Sequence, residues 1–387
     1  MEAMISNFSL HSHLQIIKDP RIDRTKRHEL IDILTIAVCA TICGCDTWSD
    51  IEDFGNSKLN WFKSFLNLNH GIPSHDTFRR IFLLIDPNSF RRVFINWVKK
   101  ISENQEVGQV CIDGKTLRKS FNNAKKSNPL HIVNAWSTGL SLSLGQMKTD
   151  EKSNEITAVP KLLKMLNLKG CLVSSDALNT QKNIAKVILE QEADYLLALK
   201  NNHKILYKRV TEEFEKLKTA GNRSFIVERY KESNDGHGRK EVRKCTVLKL
   251  KKDRFWLIDL VKEWPSLTSI IKIENERVNK KTGEIQTQTR YYISSALETA
   301  ESFLRSVRRH WEVENKLHWV LDVVFKEDDN RARTGHGPEN LAILRQFALN
   351  LIKLEPSKKS IRRKRNISGW DNNFLLKILI GAKNLDA

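Results

Sequence analysis

The sequence predicts an α/β protein in which a mixed-sheet core is preceded by an all-helical region. Apolar residues recur with helical period over residues 20–100, and strand-like runs that alternate with helices begin beyond this region. A second group of strand-like runs fills residues 222–296, which predicts a β-rich insertion in the core. We therefore divide the chain into a helical domain (1–103), a core domain (104–354) and a basic tail (355–387).

The composition indicates a polyanionic partner. The 387 residues include 65 Lys and Arg against 46 Asp and Glu, which gives a formal net charge of +19 and a pI of about 9.6. Such an excess favours nucleic acid, ahead of an anionic membrane surface. No apolar stretch is long enough to cross a bilayer, residues 1–14 lack a secretory signal pattern, and the six scattered cysteines form no CxxC pair. We therefore expect no membrane partner, no zinc site and a cytoplasmic location.

Turn and cap residues predict several short helices in the helical domain. The first carries an apolar stripe at Leu30, Ile33, Leu34, Ala37 and Val38. Others are predicted over 48–54 and 59–66, and a helix capped by Ser74 or Asp76 follows a turn over 69–73. This capped helix is basic near its start, as in a helix-turn-helix DNA reader, but a small helical bundle without DNA contact explains the pattern equally well.

The core domain is predicted to begin with three strands in a meander. Residues 110–112 form a short strand that ends at Asp113, and a basic loop over 115–126 follows it. Residues 131–137 and 140–147 then form a hairpin.

Helices and strands alternate after the meander. A helix ends near Leu166, and we place its start late because Pro160 fits a first turn better than a helix interior. The next strand ends at Asp176, and a helix, a strand and another helix follow. This order is typical of a ribonuclease-H-like sheet, in which the first and fourth strands are neighbours. That topology would bring Asp113 and Asp176 together.

The spacing of three acidic residues indicates where the insertion lies. Asp176 follows Asp113 by 63 residues (176 − 113), whereas Glu314 follows Asp176 by 138 residues (314 − 176). The excess falls in residues 222–296. Strand-like runs lie there at 224–227, 242–250, 255–260, 269–273 and 288–293.

Glu314 lies in a segment with helical period. One face of this helix is predicted to carry Phe303, Val307, Trp311, Glu314, His318 and Leu321. A charge on the core-facing side of a helix is costly unless it is paired or binds a metal. With Asp113 and Asp176 at strand ends, Glu314 supplies the carboxylates that a two-metal phosphoryl-transfer site needs to hold Mg²⁺ ions about 4 Å apart.

Each carboxylate also has an ordinary structural explanation. Asp113-Gly114 is a favoured turn dipeptide, Asp176 could cap a helix, and Glu314 could pair with a neighbouring arginine. The main rival as third carboxylate is Glu155. It ranks lower because it lies close to the start of a helix, where it suits the helix dipole.

A polar loop and the basic tail add candidate phosphate contacts. Residues 322–340 combine many hydrogen-bonding residue types, and we expect phosphate contacts from Arg331, Arg333 and His336. Residues 355–387 hold eight Lys or Arg against three acidic residues, which favours binding to a phosphate backbone.

Several motifs together resemble the H-repeat-associated transposases, a family of DDE-type insertion-sequence enzymes with a ribonuclease-H-like core. The matching stretches are 71–78, 112–118, 152–156, 176–181, 310–319 and 335–340. The similarity covers nearly the full length of the chain.

The resemblance implies a helical associated domain, a DDE catalytic domain and DNA as substrate. It assigns Asp113, Asp176 and Glu314 as the catalytic, metal-binding triad, with Mg²⁺ as the metal and Mn²⁺ as a substitute. The expected reaction is phosphodiester cleavage at insertion-sequence ends, followed by strand transfer into target DNA. The expected partners are double-stranded DNA and a second copy of the chain in a synaptic homodimer. DNA contacts are expected from Lys115, Arg118, Lys119, Arg309, His310, Asn315, Arg331, Arg333 and His336.

The chain departs from related insertion-sequence transposases around the catalytic Glu. Where those enzymes carry a Tyr, an Arg and a Lys, this chain has Val307, His310 and Leu321, which leaves open whether the reaction passes through a DNA hairpin. Two other functions are compatible with the same residues. One is a DNA-binding relic that no longer moves an element, and the other is a structure-selective nuclease that releases cut ends without joining them.

Overall fold

The N-terminal region is helical, as the sequence predicts. The structure is a computed structural model that describes residues 9–121, 128–149, 155–219, 225–236, 238–250 and 264–381. The first α-helices are α1 (Ser9–Leu14), α2 (Leu30–Cys43), α3 (Trp48–Ser57), α4 (Leu59–Lys63), α5 (His75–Leu84) and α6 (Pro87–Ile101).

Side-chain caps determine where three of these helices begin. Thr47 and Asp50 form a reciprocal capping box at the start of α3, and Ser74, one of the two predicted candidates, caps α5. Asp86 caps α6, whose first residue is Pro87. Local sequence therefore defines these helix starts before any tertiary contact is considered.

Nine strands form one mixed sheet in the described part of the chain. They are β1 (Gln109–Leu117), β2 (Leu130–Ser137), β3 (Leu142–Lys148), β4 (Leu172–Ser175), β5 (Asp194–Leu199), β6 (Phe225–Gly236), β7 (Arg239–Leu250), β8 (Ser269–Asn279) and β9 (Ile285–Ser294). Their order is β3-β2-β1-β4-β5-β9-β8-β7-β6. The pairs β1–β4 and β4–β5 are parallel, and the other neighbours are antiparallel. The first five strands have the predicted ribonuclease-H-like order, so the predicted fold class is confirmed.

The β-rich insertion extends the core sheet instead of forming a layer of its own. Strand β9 pairs with β5 from Leu196↔Ser294 to Leu199↔Tyr291, and β8, β7 and β6 follow in antiparallel order. The predicted strand over 255–260 lies outside the described residues. The insertion thus continues the same hydrogen-bonded sheet that carries the acidic residues.

The sheet buries side chains on both of its faces. Leu196 of β5 packs in one cluster with residues such as Phe303 and Leu304, whereas its neighbours Tyr195 and Leu197 belong to the main core. Successive strand residues point to opposite faces of the sheet. Because the side chains of β5 alternate between the two clusters, both faces of the sheet are covered there.

The remaining helices connect and cover the strands. They are α7 (Glu155–Leu163), α8 (Lys182–Glu190), α9 (Lys204–Thr219), α10 (Ala300–His310), a π-helical segment (Val313–His318), α11 (Trp319–Val323), α12 (Gly337–Leu354), α13 (Ile361–Trp370) and α14 (Asn372–Ile380). Helix α7 begins at Glu155, so Pro160 lies in its interior and the late start was wrong. Buried residues on either side of the proline, Val159 and Leu162 among them, hold the helix in place despite the hydrogen bond that proline removes.

The described residues beyond 354, which are 355–381, pack against the N-terminal domain. Arg365 of α13 donates to the carbonyl oxygens of Thr41 (3.2 Å) and Ile42 (3.3 Å) near the end of α2, where carbonyls lack partners within the helix. Leu375 and Ile378 of α14 are fully buried. Much of the region expected to be a basic tail is therefore a pair of packed helices.

Among the described residues, no single helix is long and apolar enough to span a membrane. Helices α2 and α3 reach the required length and composition only as a pair bent by 97°. Nearly all residues of α2 are buried within the protein, as in the core helix of a helical domain.

Candidate active site

Asp113 and Asp176 lie side by side because their strands are parallel neighbours. The register of β1 and β4 pairs Ile112 with Ser175, so the next residue of each chain segment carries a carboxylate at the same level of the sheet. Asp176 directly follows β4, as predicted. The predicted end of β1 was wrong, because the strand runs through Asp113 to Leu117 while it stays paired with β2.

The three predicted carboxylates line one cavity of about 610 Å³. Asp113 and Asp176 lie at its sheet side, and Glu314 lines it from the π-helical segment. Arg290 and His310 also line this cavity. The sequence therefore selected three residues from distant parts of the chain that line the same cavity.

Glu314 does not lie on the buried stripe that helical period predicts. Helix α10 ends at His310, and in the π-helical segment Val313, Leu317 and His318 are buried while Glu314 is exposed. A π-helix places more residues in each turn than an α-helix, which rotates the following side chains relative to the predicted stripe. The predicted core-facing position was wrong, and Glu314 points to solvent at the cavity wall.

The paired aspartates are electrostatically unfavourable without a cation. Burial, together with the nearby carboxylates of Asp176, Glu155 and Glu314, raises the pKa of Asp113 to about 7, against the opposing N–H of Gly114. Burial also raises the pKa of Asp176. Clustered, desolvated carboxylates repel one another when ionised, and a cation between them would relieve that repulsion.

The donor set suits a hard divalent cation, although the ligands are not assembled around a single point. Carboxylate oxygens are the ligands that Mg²⁺ prefers. Within the described residues, however, no group of three or more His, Cys, Asp or Glu side chains is arranged to hold a metal ion. Asp113 and Asp176 therefore fit a metal site by chemistry and position, and Glu314 lines the same cavity.

Glu155, the rival third carboxylate, lies close enough to act electrostatically on Asp113 but does not line the cavity. It accepts hydrogen bonds from His131 Nε2 (2.9 Å) and Asn179 Nδ2 (2.7 Å), and Asn179 Nδ2 also donates to Asp176 Oδ1 (3.1 Å). Burial would raise the pKa of Glu155, but these hydrogen bonds lower it overall. The Glu155 side chain also packs tightly against the backbone of Gly114, since a Cβ added to Gly114 would lie only 2.1 Å from Glu155 Oε1. Glu155 is therefore connected to Asp176 through an amide.

His318 is a buried residue near Asp113 that sequence reasoning did not select for the site. Its Nε2 lies 3.2 Å from Asn134 Nδ2, and its Nδ1 lies 3.6 Å from Asp113 Oδ2. Gln346 Nε2 donates to Asn134 Oδ1 (2.6 Å), which orients the Asn134 amide as a donor to His318. Burial lowers the pKa of His318 to about 3, so the neutral ring presents Nδ1–H towards Asp113. The sequence did contain a signal for this residue, because His318 follows Glu314 by four residues and is predicted to lie on the same helix face.

The basic residues expected beside the aspartates are engaged by an acidic turn. Lys115 is buried and pairs with Asp322 (2.5 Å) and with Glu327. On the surface, ion pairs join Arg118 to Asp328 and Lys119 to Asp329. Lys115 is therefore a buried ion-pair partner in this structure, whereas Arg118 and Lys119 remain on the surface.

The other predicted contacts are spread over several surfaces. His310 lines the carboxylate cavity, its Nδ1 lies 2.9 Å from Ser174 Oγ, and burial lowers its pKa to about 4. Arg309 lines a different cavity, near the opposite end of β1. Asn315 is exposed and donates from Nδ2 to the Trp311 carbonyl (3.0 Å). Arg331, Arg333 and His336 are exposed on the loop before α12.

Family comparison shows the class of protein to which this fold belongs. Residues 107–351 match the family described as transposase DDE domain, and residues 11–98 match the DDE transposase-associated domain. The chain belongs to the DDE-domain transposase family.

Relatives named as putative transposases match nearly the whole chain. It is 40% identical over 376 residues to the H repeat-associated putative transposase YhhI of Escherichia coli strain K12, covering 96% of this chain and 98% of the relative. It is 36% identical over 379 residues to the putative transposase YncI of Escherichia coli O157:H7, covering 97% and 96%. A piggyBac transposase in a synaptic complex with hairpin DNA matches with a TM-score of 0.41 at 13% identity, covering 100% of this chain and 82% of that one.

Proposed function

We propose that this chain is a Mg²⁺-dependent DNA transposase that cleaves phosphodiester bonds at insertion-sequence ends and transfers the cut strand into target DNA. The observation that carries the proposal is the placement of Asp113 and Asp176 at one level of two parallel strands, in one cavity with Glu314. Membership of the DDE transposase family supports it.

Asp113, Asp176 and Glu314 would hold the metal. When bound, Mg²⁺, or Mn²⁺ in its place, would stabilise the attacking and leaving oxygens of an in-line phosphoryl transfer. The chain supplies position: β1 and β4 keep the aspartates adjacent, and Asn179 restrains the Asp176 carboxylate. Because Glu314 is exposed on the cavity wall, we expect it to complete the ligand set only in the complex with metal and DNA.

Double-stranded DNA is the proposed substrate, both as element ends and as target. The net charge of +19 favours a polyanion. Exposed Arg331 and His336 offer phosphate contacts on the loop before α12. A hydrogen bond from Arg333 Nε to the carbonyl of Lys119 holds this loop near the end of β1. We further propose that two copies act together on paired ends in the cytoplasm.

A cleavage and strand-transfer assay tests the proposal. Duplexes carrying the ends that flank the gene are incubated with Mg²⁺ or Mn²⁺ and wild-type chain, Asp113→Ala or Asp235→Ala. Asp235 is an exposed aspartate in β6, paired with Lys280, so its variant controls for the lost charge. We expect joined products from wild type and Asp235→Ala, and none from Asp113→Ala, which should still bind the ends.

Other outcomes would replace the proposal. Cutting without joining would favour a structure-selective nuclease, and end binding with no cutting in either metal would indicate a DNA-binding relic. One shorter relative, YbfQ of Escherichia coli strain K12, is named as an inactive transposase and is 42% identical over 72 residues, 19% of this chain. Undiminished cutting by Asp113→Ala would remove Asp113 from the active site.

A further inference from the structure

A second cavity, of about 350 Å³, lies where the helical domain meets the catalytic domain, and several arginines line it. Its walls come from the α2–α3 connection, α5, the loop before α12, α12 and α13. Its basic lining residues are Arg79, Arg331, Arg333, Arg345 and Arg365. Asp46 is the one acidic residue in this lining, so the cavity carries a strong positive excess.

Arg345 of α12 is the unusual member of this group. It is only 5% exposed, and among the described residues its side chain makes no hydrogen bond or ion pair, although it lines the cavity. The two acidic groups that favour its charge are engaged elsewhere. Glu327 pairs with Lys115, and Asp46 pairs with Lys326 at 3.0 Å.

Arg365 brings a second buried guanidinium to the same cavity. It is 6% exposed, its hydrogen bonds go to backbone carbonyls, and its guanidinium lies 4.1 Å from the ring of Phe325. Burial lowers the pKa of both arginines, and the charge of Arg345 opposes that of Arg365. Two like charges thus line one cavity, and its single carboxylate, Asp46, is paired with Lys326.

A buried, unpaired charge is costly, and an anion is what would compensate it. The guanidinium group matches phosphate oxygens with paired N–H donors. We propose that this arginine-lined cavity binds a phosphate group, held by Arg345 and Arg365 and closed by the arginines at its mouth. The phosphate belongs either to the backbone of bound DNA, which rests on the proposed function, or to a free phosphate compound.

A bound phosphate would connect two parts of the protein. Arg79 belongs to the helical domain, whereas Arg331 and Arg345 belong to the catalytic domain. Glu327, which lies near Arg345, pairs with Lys115, two residues after Asp113 on β1. Occupancy of the cavity would therefore stabilise the contact between the helical domain and the region that carries the aspartates.

Thermal unfolding of the full chain tests the proposal, in sodium phosphate and in sodium chloride of equal ionic strength. The variants are Arg345→Met and the control Arg305→Met, which removes an exposed arginine of α10 outside the cavity. We expect phosphate to raise the Tm of wild type and Arg305→Met. Arg345→Met should bind inorganic phosphate at least about tenfold more weakly in calorimetry, with little rise in Tm. In chloride its Tm should equal or exceed that of wild type, because an unpaired buried charge has been removed.

The opposite pattern would overturn the proposal. If Arg345→Met unfolds at lower temperature in chloride and still gains wild-type stabilisation from phosphate, Arg345 is a structural residue and the cavity does not bind phosphate. The absence of any phosphate effect on wild type, together with equal duplex binding by both variants, would also refute it.

Duplex binding separates the two sources of phosphate. If inorganic phosphate competes with a duplex oligonucleotide and Arg345→Met weakens duplex binding more than Arg305→Met, the group is a DNA phosphate. If phosphate binds without affecting the duplex, the ligand is a free phosphate compound. Asp113→Ala should keep the phosphate response, so a failure of the proposed catalysis can be distinguished from a failure of this site.

Discussion

Asp32 of α2 shows how a single buried carboxylate makes stability depend on pH. It is 4% exposed, and one of its oxygens has no hydrogen-bond partner among the described residues. Burial, with a smaller contribution from Glu29, raises its pKa to about 6, and the N–H of Asn67 opposes this increase. The folded protein therefore holds this proton more tightly than the unfolded chain. The resulting stabilisation is fully present below the unfolded pKa near 4 and is lost as the pH rises through 6.

Replacing this carboxylate by an amide should remove the pH dependence. We expect Asp32→Asn to stabilise the protein by about 3 kcal/mol at pH 8 and to change stability little at pH 4, because the shift spans about two pKa units and each unit corresponds to about 1.4 kcal/mol. Denaturant unfolding at both pH values measures the difference. Asp53→Asn, at an exposed position of α3, is the control and should have no such pH-dependent gain. An equal effect of Asp32→Asn at both pH values would contradict the argument.

Glu155 tests the difference between a metal ligand and a positioning residue. If it acts through Asn179 on Asp176, Glu155→Gln should slow cleavage by about 10- to 100-fold and raise the Mg²⁺ concentration needed, without weakening duplex binding. Single-turnover cleavage across a Mg²⁺ titration measures both effects. A loss as complete as that of Asp113→Ala would instead make Glu155 the third ligand.

At the scale of elements, the acidic turn Glu327–Asp329 forms ion pairs with basic residues at the end of β1 and just beyond it. The charges of Lys115, Arg118 and Lys119 were visible in the sequence, but their partners lie about 210 residues away. Ion pairing over that separation is decided by tertiary packing. The π-helical segment was also missed by the sequence prediction, because the spacing of apolar residues does not show where a helix widens to a π-helical turn.

The ion pairs of this turn should differ greatly in energy. Lys115→Met should cost about 3–5 kcal/mol, because it leaves Glu327 as a buried charge without its partner. Lys119→Met should cost less than about 1 kcal/mol, because its pair with Asp329 is exposed. Urea unfolding of both variants compares the two pairs. Similar losses would mean that Lys115 does not stabilise the buried carboxylates.

At the scale of the whole molecule, the C-terminal helices complete the N-terminal core. Leu375 of α14 is fully buried, whereas Trp370 at the end of α13 is 79% exposed. Leu375→Ala should therefore destabilise the protein by about 2–5 kcal/mol through the lost burial and the cavity left behind. Trp370→Ala should change stability by less than about 1 kcal/mol. Comparing the DNA binding of this variant with that of wild type shows whether the exposed ring has another role. Thermal unfolding measures the stability of both variants. An unchanged Tm for Leu375→Ala as well as for Trp370→Ala would contradict this packing.

The sequence by itself determined the ribonuclease-H-like strand order, the helical domain and the neighbouring aspartates, because strand alternation, helix caps and strand ends are local signals. The family followed from motifs along the chain. Only the tertiary structure decided that the insertion extends the core sheet, that Lys115 is buried and that Glu314 lies off its predicted stripe. It also placed Arg345 unpaired in a cavity between domains. These outcomes depend on which distant groups share a buried space, and no local pattern encodes that choice.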